Sequence, residues 1–490
     1  MEMTDRYIVA IDLGTSKLSI TVAKVIGRDV QIVYYKESPS AGIRYSSVFH
    51  VTQAADAISK AVKEAEEALG IKITQAVVGM PKYPVRQESN TAKVNDRGYD
   101  EDITLENIAE LKRYAQSDYP LEYPEREAIY GAVAQSFSDG ENFQIIENDI
   151  IGMTSDTLEG NFKIFIGKRS DLNKIDTAMN KADLVAARKY FTADSTAKAV
   201  LTDSELENGV ALIDFGAGCT SVSIYHGNIM RHYASIPFGG KSITDDIKSE
   251  CLISERLAEN IKLAFGACMP EKLQNLSEKI IHIRSNSTEP DKQLPVKYLS
   301  EIITARVEEI MMAIFYEIQN SGFADMLRSG VVVTGGCAEI ANLNSFLYEL
   351  SGYKVRTGYP RMLFSGQNCN GINDTSAVPS LGLIYSALHE EINCCLPVEQ
   401  IEVIEETVVE EETEKVNDNG ELFSEEEKKA IELTKEQKEE IRKREKELKA
   451  AAKKAAEEER KRKISWFGKV KNEIIEFGES VKKEIENDKV

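Results

Sequence analysis

The chain of 490 residues carries a formal net charge of −21, and 42% of its residues are apolar. This length accommodates two or three domains with a sizeable core. The acidic balance argues against nucleic acid as the main partner. Because no apolar run approaches the ~18 residues of a membrane-spanning helix, we do not expect an integral membrane protein.

Cysteine and histidine usage indicates a reducing compartment. The seven cysteines contain no C-x-x-C pair, the five histidines lack zinc-ligand spacing, and no signal-peptide pattern precedes the first predicted strand. We therefore expect the reducing interior of a cell and no zinc site.

The first predicted element is a β-hairpin, "YIVAIDLGTSKLSITVAKV", from Tyr7 to Val25. An apolar, β-branched run leads into Asp12, and an alternating run follows the turn. The turn residues Gly14, Thr15 and Ser16 can direct N–H groups and hydroxyls at a phosphate, while Asp12 suits a hydrated cation. An ordinary hairpin turn of the same sequence is the alternative.

A helix, a strand and an inserted segment follow. Apolar spacing of three and four predicts an amphipathic helix from Thr52, as its cap, to Gly70 and Ile71. "TQAVVGMP" predicts a strand that returns to the sheet. From about Pro84 to Ile166 the pattern becomes irregular and polar, which indicates an inserted subdomain. The next segment, "FKIFIGKRSDLNKIDTAMNKADLVAARKYFTADSTAKAVL", predicts strand, helix, short strand and helix.

A second hairpin, "GVALIDFGAGCTSVSIYHG", repeats the first pattern with Asp214, Gly216, Gly218 and Thr220. Two strand-Asp-x-Gly hairpins predict two halves of one site, which hold phosphate from both sides and present two carboxylates to one Mg²⁺. A coincidental repeat is the alternative. "DFG" also occurs in protein kinases, but their other catalytic motifs are missing here.

The rest of the globular part predicts helices and one more strand. A helical region covers roughly Ser242 to Asn320. "GVVVTGGCAEIANLNSFLYEL" predicts a buried strand, a turn and a helix, and Gly335 and Gly336 would let a flat ring or ribose approach the backbone. "SAVPSLGLIYSALHEEI" predicts a final helix whose core face comprises Leu381, Ile384, Tyr385 and Leu388.

These motifs resemble the actin-like ATPase superfamily. "IDLGTS" and "LIDFGAGCTS" resemble its phosphate motifs, "VVVTGGCAEI" its adenosine motif, and "ADSTAKAVL" and "SAVPSLGLIYSA" its connecting helices. The segments "IPFGGKSITDDI" with "AENIK", and "EIITARVEEIMMAI", resemble the bacterial cell-division FtsA family. The resemblance covers about residues 6 to 390. It implies an α/β, actin-like fold of two related lobes that close over ATP in a cleft, with an extended charged C-terminal tail ending in an amphipathic helix.

The resemblance also implies a division into subdomains. The expected parts are 1A in 1–83 and 167–200, the insertion 1C in 84–166, 2A in 201–240 and 322–375, 2B in 241–321, a return helix to 1A in 376–392, a charged linker in 393–463 and the amphipathic helix in 464–490.

Residue roles follow from the same resemblance. Asp12 and Asp214 would face Mg²⁺ through water. The phosphates of ATP would contact Gly14, Thr15, Ser16, Gly216, Gly218 and Thr220. Ribose and adenine would contact Glu259, Lys262, Gly335 and Gly336. The predicted nucleotide site is completed by Lys17, Ala217, Cys219 and Gly239.

One departure from the family pattern concerns hydrolysis. Related proteins often carry Glu-Pro before the first connecting helix, where "YFTADSTAKAV" has Thr192 and Ala193. Asp194 is the remaining candidate for a catalytic carboxylate, but its displacement by two residues need not bring it to the attacking water. We therefore expect slow or absent ATP hydrolysis, with ATP setting conformation and filament assembly.

The C-terminal tail begins as a charged spacer. Eight Glu fall between Glu399 and Glu414 without a Lys or Arg, and a self-repelling segment of this kind, up to about Thr434, is expected to be disordered. The segment from Lys435 to Lys463 favours a single exposed helix with i,i+4 charge pairs, either a solvated rod or a helix lying along another protein.

The last segment, "ISWFGKVKNEIIEFGESVKKEI", predicts an amphipathic helix after the basic run Arg460 to Lys463. Its apolar stripe begins at Trp466 and continues through Phe467, Val470, Ile474, Phe477, Val481 and Ile485. Packing on the globular part or on a partner helix is one interpretation. The long spacer, and the membrane-targeting helix at the end of FtsA-like proteins, favour binding to anionic lipid in the cytoplasmic leaflet.

The function implied by the resemblance is that of a non-motor adaptor. It would polymerise, tether the FtsZ ring to the cytoplasmic face of the cell membrane at the division site, and recruit later division proteins. The FtsZ C-terminal peptide would dock on 241–321, with Arg306 as a candidate contact, although Arg306 could equally pair with Glu309 or Glu301. The alternatives are an actin-like protein of pilus assembly or plasmid partition, or a sugar kinase or chaperone ATPase.

Overall fold

The computed structural model describes residues 6–27, 29–94, 101–273, 278–283, 292–361 and 369–397. All of them belong to the first of two compact units, Met1–Ile401. The tail predictions lie outside the described residues: the charged linker from 398 onward, and the amphipathic helix with its stripe from Trp466 to Ile485. Among the helices in the described ranges, none is both long and apolar enough to cross a bilayer.

The strands, in chain order, are β1 (Arg6–Leu13), β2 (Lys17–Ile26), β3 (Asp29–Pro39), β4 (Ile43–Arg44), β5 (Ser47–Val48), β6 (Ile71–Ile73), β7 (Gln75–Gly79), β8 (Arg86–Val94), β9 (Glu127–Ser138), β10 (Leu158–Lys168), β11 (Val185–Tyr190), β12 (Val210–Phe215), β13 (Thr220–His226), β14 (Ile229–Ile236), β15 (Ile280–Ile283), β16 (Lys292–Pro295), β17 (Val331–Thr334), β18 (Val355–Thr357) and β19 (Cys395–Pro397).

The α-helices are α1 (Val51–Leu69), α2 (Leu105–Ser117), α3 (Glu147–Ile150), α4 (Arg169–Lys181), α5 (Thr192–Val200), α6 (Asp203–Asn208), α7 (Gly240–Cys251), α8 (Glu255–Phe265), α9 (Val296–Asn320), α10 (Leu343–Ser351) and α11 (Val378–Ala387). Short 3-10 turns include Gly336–Glu339, directly after β17.

Two five-stranded sheets have the same internal arrangement. The first has the order β11-β7-β1-β2-β3 and the second β14-β13-β12-β17-β18. In each, a central strand pairs antiparallel with the next strand along the chain and parallel with a later one. Asp12 lies opposite Ser19 in the first hairpin, and Asp214 lies opposite Ser221 in the second. Both predicted hairpins are confirmed, and the chain consists of two related α/β lobes.

Strand alternation directs both aspartates toward the space between the lobes. Ile8 and Ala10 of β1 share one core with Val210 and Leu212 of β12, together with α5 and α11. The intervening residues of β1 pack instead with α1 and α4, and those of β12 with α7 and α9. Because side chains alternate along a strand, Asp12 and Asp214 continue the inner rows.

The inserted segment forms a subdomain with its own sheet and core. Its strands have the order β8-β10-β9, all antiparallel. Ile108 and Leu111 of α2 pack on this sheet with Phe137 and Phe162. The two aromatic rings are edge-on, with their centroids 6.2 Å apart. The segment that looked irregular in sequence is therefore a regular antiparallel sheet. Polar strand residues such as Gln135 and Lys163 contact β14 of the second lobe.

Helix α1 begins earlier than its sequence predicted. His50, not Thr52, is the N-cap, because its ring nitrogen accepts a hydrogen bond from the Gln53 N–H at 3.3 Å. The predicted end is correct: Gly70 adopts the left-handed conformation, at φ 64°. A glycine at this position closes the helix without steric strain.

Two further predictions about helices need correction. The region from Ser242 to Asn320 is not continuously helical, since the hairpin β15–β16 and a break at Leu252 separate α7, α8 and α9. Helix α11 does not have one apolar face, because it is buried all round between the two sheets. Its Leu381 and Ile384 are buried as expected, whereas Tyr385 and Leu388 are only half-buried.

Candidate functional site

A cavity of about 320 Å³ lies where the two hairpin turns meet. The first hairpin contributes Asp12, Gly14, Thr15, Ser16 and Lys17, and the second contributes Gly216, Ala217, Gly218 and Cys219. Glu259 and Lys262 of α8, together with Gly335 and Gly336 after β17, complete the part that sequence predicted. Residues that sequence did not predict also line it: Ser46, Lys82, Gly240, Leu263, Gly266, Cys337, Glu339, Ile340, Ser376 and Pro379.

The two hairpin turns are in direct contact. A Cβ atom added to Gly218 would lie 2.8 Å from Cβ of Thr15, closer than real side chains approach. The Thr15 hydroxyl accepts a hydrogen bond from the Ser46 N–H at 3.1 Å, which holds its side chain in place. The absence of a side chain at Gly218 therefore lets the turns of the two lobes meet.

The aspartates of the two hairpins lie close to one cationic side chain. Lys82 forms an ion pair with Asp214, and both side chains are almost buried, at 11% and 8% exposure. Burial raises the pKa of Asp12, Lys82 opposes this rise, and the negative charge of Asp214 adds to it. Burial would lower the pKa of Lys82, but the charges of Asp214 and Asp12 outweigh burial and raise that pKa.

Lys82 is the functional residue that the sequence prediction missed. It follows β7, which runs parallel to β1, so the carboxyl ends of these two strands lie at the same edge of the sheet. The loop is held by Thr192, whose hydroxyl donates to the Met80 carbonyl at 2.6 Å, and by Tyr233, whose hydroxyl donates to the Lys82 carbonyl at 2.7 Å. The available signal was a lysine directly after a strand parallel to the Asp12 strand.

The ammonium group of Lys17 is directed to another carboxylate. It pairs with Glu37 at 2.6 Å, and Glu37 also accepts hydrogen bonds from Tyr35 and Ser376. Lys17 thus lines the cavity as predicted, but the structure places its charge beside Glu37.

A cluster of polar groups forms the wall contributed by α7 and α8. The Lys262 ammonium donates to the Gly240 carbonyl at 2.9 Å, to the Thr244 hydroxyl at 2.8 Å and to the Glu259 carboxylate at 2.8 Å. All three donors of this ammonium are used, which fixes Glu259 at the edge of the cavity.

The glycine turn after β17 forms the opposite wall. Gly335 has φ +89°, and a Cβ there would collide with the Phe215 carbonyl oxygen at 2.7 Å. A Cβ on Gly336 would meet nothing within 4 Å, so this stretch of backbone is open toward the cavity. A flat ring can approach such a surface closely.

Some predicted residues lie outside the cavity. Thr220 is buried and its hydroxyl donates to the Phe238 carbonyl at 2.8 Å, so its side chain is already engaged. Gly239 packs on the Ala217 carbonyl oxygen, and its neighbour Gly240 lines the cavity. Asp214 does not line the cavity, but its ion-pair partner Lys82 does.

The structure gives no support to a catalytic role of Asp194. Its carboxylate pairs with Lys198 one turn along α5, at 2.7 Å, and both side chains are more than 40% exposed. The pair lies outside the cavity lining. Thr192 instead anchors the loop that carries Lys82.

The donor set at the base of the cavity fits a hydrated Mg²⁺. This ion binds proteins through one or two carboxylates and completes its shell with water and phosphate oxygens. Asp12 and Asp214 offer carboxylates from opposite lobes. Burial, with a smaller contribution from the charge of Asp214, raises the pKa of Asp12, and a divalent cation would offset both effects. An ion held there would neutralise the negative charge of phosphate oxygens.

Arg306, the candidate partner contact, lies on α9. Its guanidinium donates to Asp246 of α7 at 2.9 Å and to Glu309 at 2.6 Å. The pairing with Glu309 was one of the two alternatives, and the second partner of Arg306 is Asp246 rather than Glu301. Arg306 therefore ties α7 to α9 in this structure.

Sequence comparison identifies relatives over most of the chain. The family model described as "Cell division protein FtsA" matches residues 211–382. The chain is 28% identical to the "Cell division protein FtsA" of Neisseria meningitidis serogroup B over 405 residues, which cover 81% of this chain and 94% of the relative. It is 29% identical to the protein of the same name from Borreliella burgdorferi, over 78% of this chain and 91% of the relative.

Structure comparison supports the fold. The solved "PilM-PilN type IV pilus biogenesis complex" superposes with a TM-score of 0.56 at 13% identity, and covers 79% of this chain and 99% of the solved chain. At this identity the likeness concerns the fold alone. Together with the two related lobes, it confirms the predicted two-lobe, actin-like α/β fold. The relatives and the family model then show that the chain is similar to cell division proteins of the FtsA family over most of its length.

Proposed function

We propose that this protein is an ATP-binding, polymerising division protein that ties FtsZ to the cytoplasmic face of the membrane at the division site and recruits later division proteins. The single observation that carries the proposal is that Asp12 of the first lobe lines the cavity beside Lys82, whose ammonium group pairs with Asp214 of the second lobe. A ligand held by both lobes fixes the angle between them, and such an angle can control assembly.

ATP is the ligand that this cavity suits best. The turns at Gly14 to Ser16 and Gly216 to Gly218 offer backbone N–H groups to phosphates, as anion-binding turns do. Glu259 accepts hydrogen bonds and suits ribose hydroxyls, while the open backbone at Gly336 suits adenine. Mg²⁺ would lie beside Asp12 and Asp214.

Hydrolysis in this cavity is expected to be slow or absent. The carboxylate at Asp194 pairs with Lys198 outside the cavity, and the Thr192 hydroxyl is engaged as a hydrogen-bond donor to the Met80 carbonyl. Without Asp194 as a general base, we expect the activation of water at the terminal phosphate to be weak. Turnover near the typical enzyme rate of about 10 s⁻¹ would contradict this part of the proposal.

Isothermal titration calorimetry with Mg-ATP tests the nucleotide site. The wild type should bind, and Asp12→Asn and Asp214→Asn should bind at least about tenfold more weakly, because each removes a carboxylate next to the metal. Asp203→Asn is the matched control, since Asp203 is 92% exposed and lies outside the cavity lining. Equal affinity in all four proteins would refute the site.

The FtsZ contact is proposed for residues 241–321. Met312 and Tyr316 of α9 are 54% and 65% exposed, and they lie one turn apart, so they offer an apolar anchor for a peptide. Deleting 241–321 would remove α7 and α9 from the core of the second lobe, so point variants are the better test.

Binding of an FtsZ C-terminal peptide, measured by fluorescence anisotropy, should weaken at least about tenfold in Met312→Ser with Tyr316→Ser. Tyr348→Ser on α10 is a matched control, because Tyr348 is also exposed but lies outside 241–321. If the wild-type protein does not bind the peptide, the result would favour the alternative of an actin-like protein of pilus assembly or plasmid partition.

Membrane attachment is proposed for residues 464–490. The full chain should sediment with vesicles that contain anionic lipid, and removal of 464–490 should abolish sedimentation. The double variant Phe467→Ser with Ile474→Ser removes two apolar side chains without changing the charge. If it no longer binds the vesicles, apolar insertion is required in addition to electrostatic attraction. Undiminished binding of the truncated chain would refute the anchor.

A further inference from the structure

We propose that Lys82 senses the terminal phosphate of the bound nucleoside triphosphate and transmits its presence to the inserted subdomain formed by β8, β9, β10 and α2. The inference rests on the nucleotide site of the proposed function and assigns to that site a residue with two tasks. Lys82 discriminates triphosphate from diphosphate, and it couples that difference to the position of the inserted subdomain.

Lys82 differs from the other lysines that line the cavity. Lys17 is neutralised by Glu37, and Lys262 by Glu259. Neither Glu37 nor Glu259 has a role toward the metal. Lys82 is neutralised by Asp214, the carboxylate that Mg²⁺ would also use. Of these three lysines in the described lining, Lys82 alone therefore shares its counter-ion with the metal.

This competition determines where the ammonium group goes. A nearly buried ammonium needs a negative partner, because an unpaired buried charge is strongly destabilising. When Mg²⁺ neutralises Asp214, the group of suitable charge is a phosphate oxygen in the same cavity. A triphosphate brings one more phosphate than a diphosphate, and a lysine binds it as a compact point charge. The partner of Lys82 therefore depends on which nucleotide is bound.

Lys82 also sits at a junction between three parts of the fold. It follows β7 of the first lobe, and the chain enters β8 of the inserted subdomain at Arg86. Its carbonyl accepts the hydrogen bond from Tyr233 of β14 in the second lobe. A shift of the Lys82 ammonium thus acts on a backbone that both lobes and the insertion hold.

Further contacts extend this junction along β14. Gln87 of β8 accepts a hydrogen bond from the Tyr233 N–H at 3.0 Å, and its amide lies 2.7 Å from the His232 ring. Lys163 of β10 donates to the Arg231 carbonyl, and Gln135 of β9 donates to the Met230 carbonyl. The inserted subdomain therefore packs on β14, the edge strand of the second lobe's sheet, next to Lys82.

The first test compares affinities for Mg-ATP and Mg-ADP by isothermal titration calorimetry. The wild type should prefer ATP by about tenfold or more, the contribution of one charge-assisted contact. Lys82→Gln should lose this preference, and Lys82→Arg should keep it within about threefold because it retains the charge. The matched control is Lys163→Gln, which breaks another contact of the insertion with β14 outside the cavity and should keep the preference.

The second test measures hydrogen exchange in β8 with ADP and with a non-hydrolysable ATP analogue. The wild type should show a difference between the two nucleotides, and Lys82→Gln should abolish it. Tyr233→Phe keeps the ring packing against Phe165 and Phe191 but removes the hydroxyl contact with Lys82. It should retain the ATP preference and lose the exchange difference.

The outcomes separate the inference from the proposed function. Nucleotide binding with an unchanged ATP preference in Lys82→Gln overturns the inference, and so does equal affinity of the wild type for ATP and ADP. A wild type that binds neither nucleotide overturns the proposed site itself. If Lys82→Gln fails to fold in a thermal melt, Tyr233→Phe decides the coupling: a persisting exchange difference overturns it.

Discussion

Thr15 and Gly218 touch across the cleft, so that a Cβ on Gly218 would lie 2.8 Å from Cβ of Thr15. Thr15 belongs to the first hairpin turn of the first lobe, and Gly218 belongs to the first hairpin turn of the second lobe. The spacing between the lobes at the phosphate position is therefore set by a glycine that has no room for a methyl group.

Gly218→Ala is expected to push the two turns apart and weaken Mg-ATP binding. An added methyl group in a packed contact costs about 1–3 kcal/mol, which corresponds to roughly a five- to hundredfold rise in Kd by calorimetry. Gly131→Ala is the control, because its Cβ would make an ordinary contact with Phe191 at 3.9 Å. Similar affinities in the two variants would contradict the contact.

The stability of the protein should fall in mild acid because of His232. Burial, with a contribution from nearby Lys163, lowers the pKa of His232 to about 4, from its ordinary 6.5. The unfolded chain takes up a proton below pH 6.5 and the folded chain only near pH 4, so this stability is present above 6.5 and is lost as pH falls toward 4.

Urea unfolding at pH 7.5 and 4.5 measures the effect. The wild type should lose about 2 kcal/mol more over this range than His232→Asn, which does not titrate there. Its amide could still pair with Gln87, which lies 2.7 Å from the His232 ring. Parallel losses in both proteins would show that His232 takes up its proton equally in the folded and unfolded chains.

The ion pair between Arg356 and Glu205 should stabilise the second lobe at neutral pH. Arg356 binds the Glu205 carboxylate through two nitrogens, at 2.6 and 2.7 Å. Burial would raise the pKa of Glu205, but hydrogen bonds from Arg356 and Thr202 outweigh it and hold that pKa below its ordinary 4.5. The stabilisation is therefore full above pH 4.5 and is lost as pH falls below that value.

Glu205→Gln should cost roughly 1 kcal/mol of unfolding free energy at pH 7, an estimate reduced for the partial exposure of Arg356. Glutamine preserves the capping box with Thr202, so the variant isolates the charge. Glu349→Gln, which breaks the exposed pair with Lys272, should cost less than about 0.5 kcal/mol. A difference between wild type and Glu205→Gln that does not shrink as pH falls below 4.5 would argue against an ionic origin.

The cavity thiols should resist alkylation. Burial raises the pKa of Cys219 to about 12 and that of Cys337 to about 11. The thiolate is the reactive form, so both should react slowly at pH 7.5, and the half-buried Cys251 and Cys369 should be labelled first. Mass spectrometry after iodoacetamide treatment measures the order, and early labelling of Cys219 would indicate that the cleft opens widely.

Sequence patterns predicted the hairpins and most of the cavity because those features are local. Asp12 and Asp214 end apolar strands, and a glycine-rich turn follows each, so both position and orientation can be inferred from strand alternation. The cap of α1 was misplaced by two positions since Thr52 is the stronger capping residue in isolation, whereas His50 adopts the extended backbone that a cap requires.

The features that sequence did not predict depend on long-range contacts. Lys82 lies 132 positions from its partner Asp214, and nothing in the local sequence identifies that pairing. The role of the inserted sheet as a support on β14 likewise depends on contacts such as that of Gln135 with Met230. Asp194 looked like a displaced catalytic carboxylate, but the helix that begins at Thr192 turns it toward Lys198.

The contact of α5 with α11 limits how the cleft can open. A Cβ on Gly382 would lie 2.5 Å from the Ser195 carbonyl carbon, and the hydroxyls of Ser195 and Ser386 meet at 3.1 Å. Because the backbones of α5 and α11 are this close and lie between both sheets, the two helices have little freedom to separate. We therefore expect any opening of the cleft to displace this helix pair little and the outer ends of both lobes more.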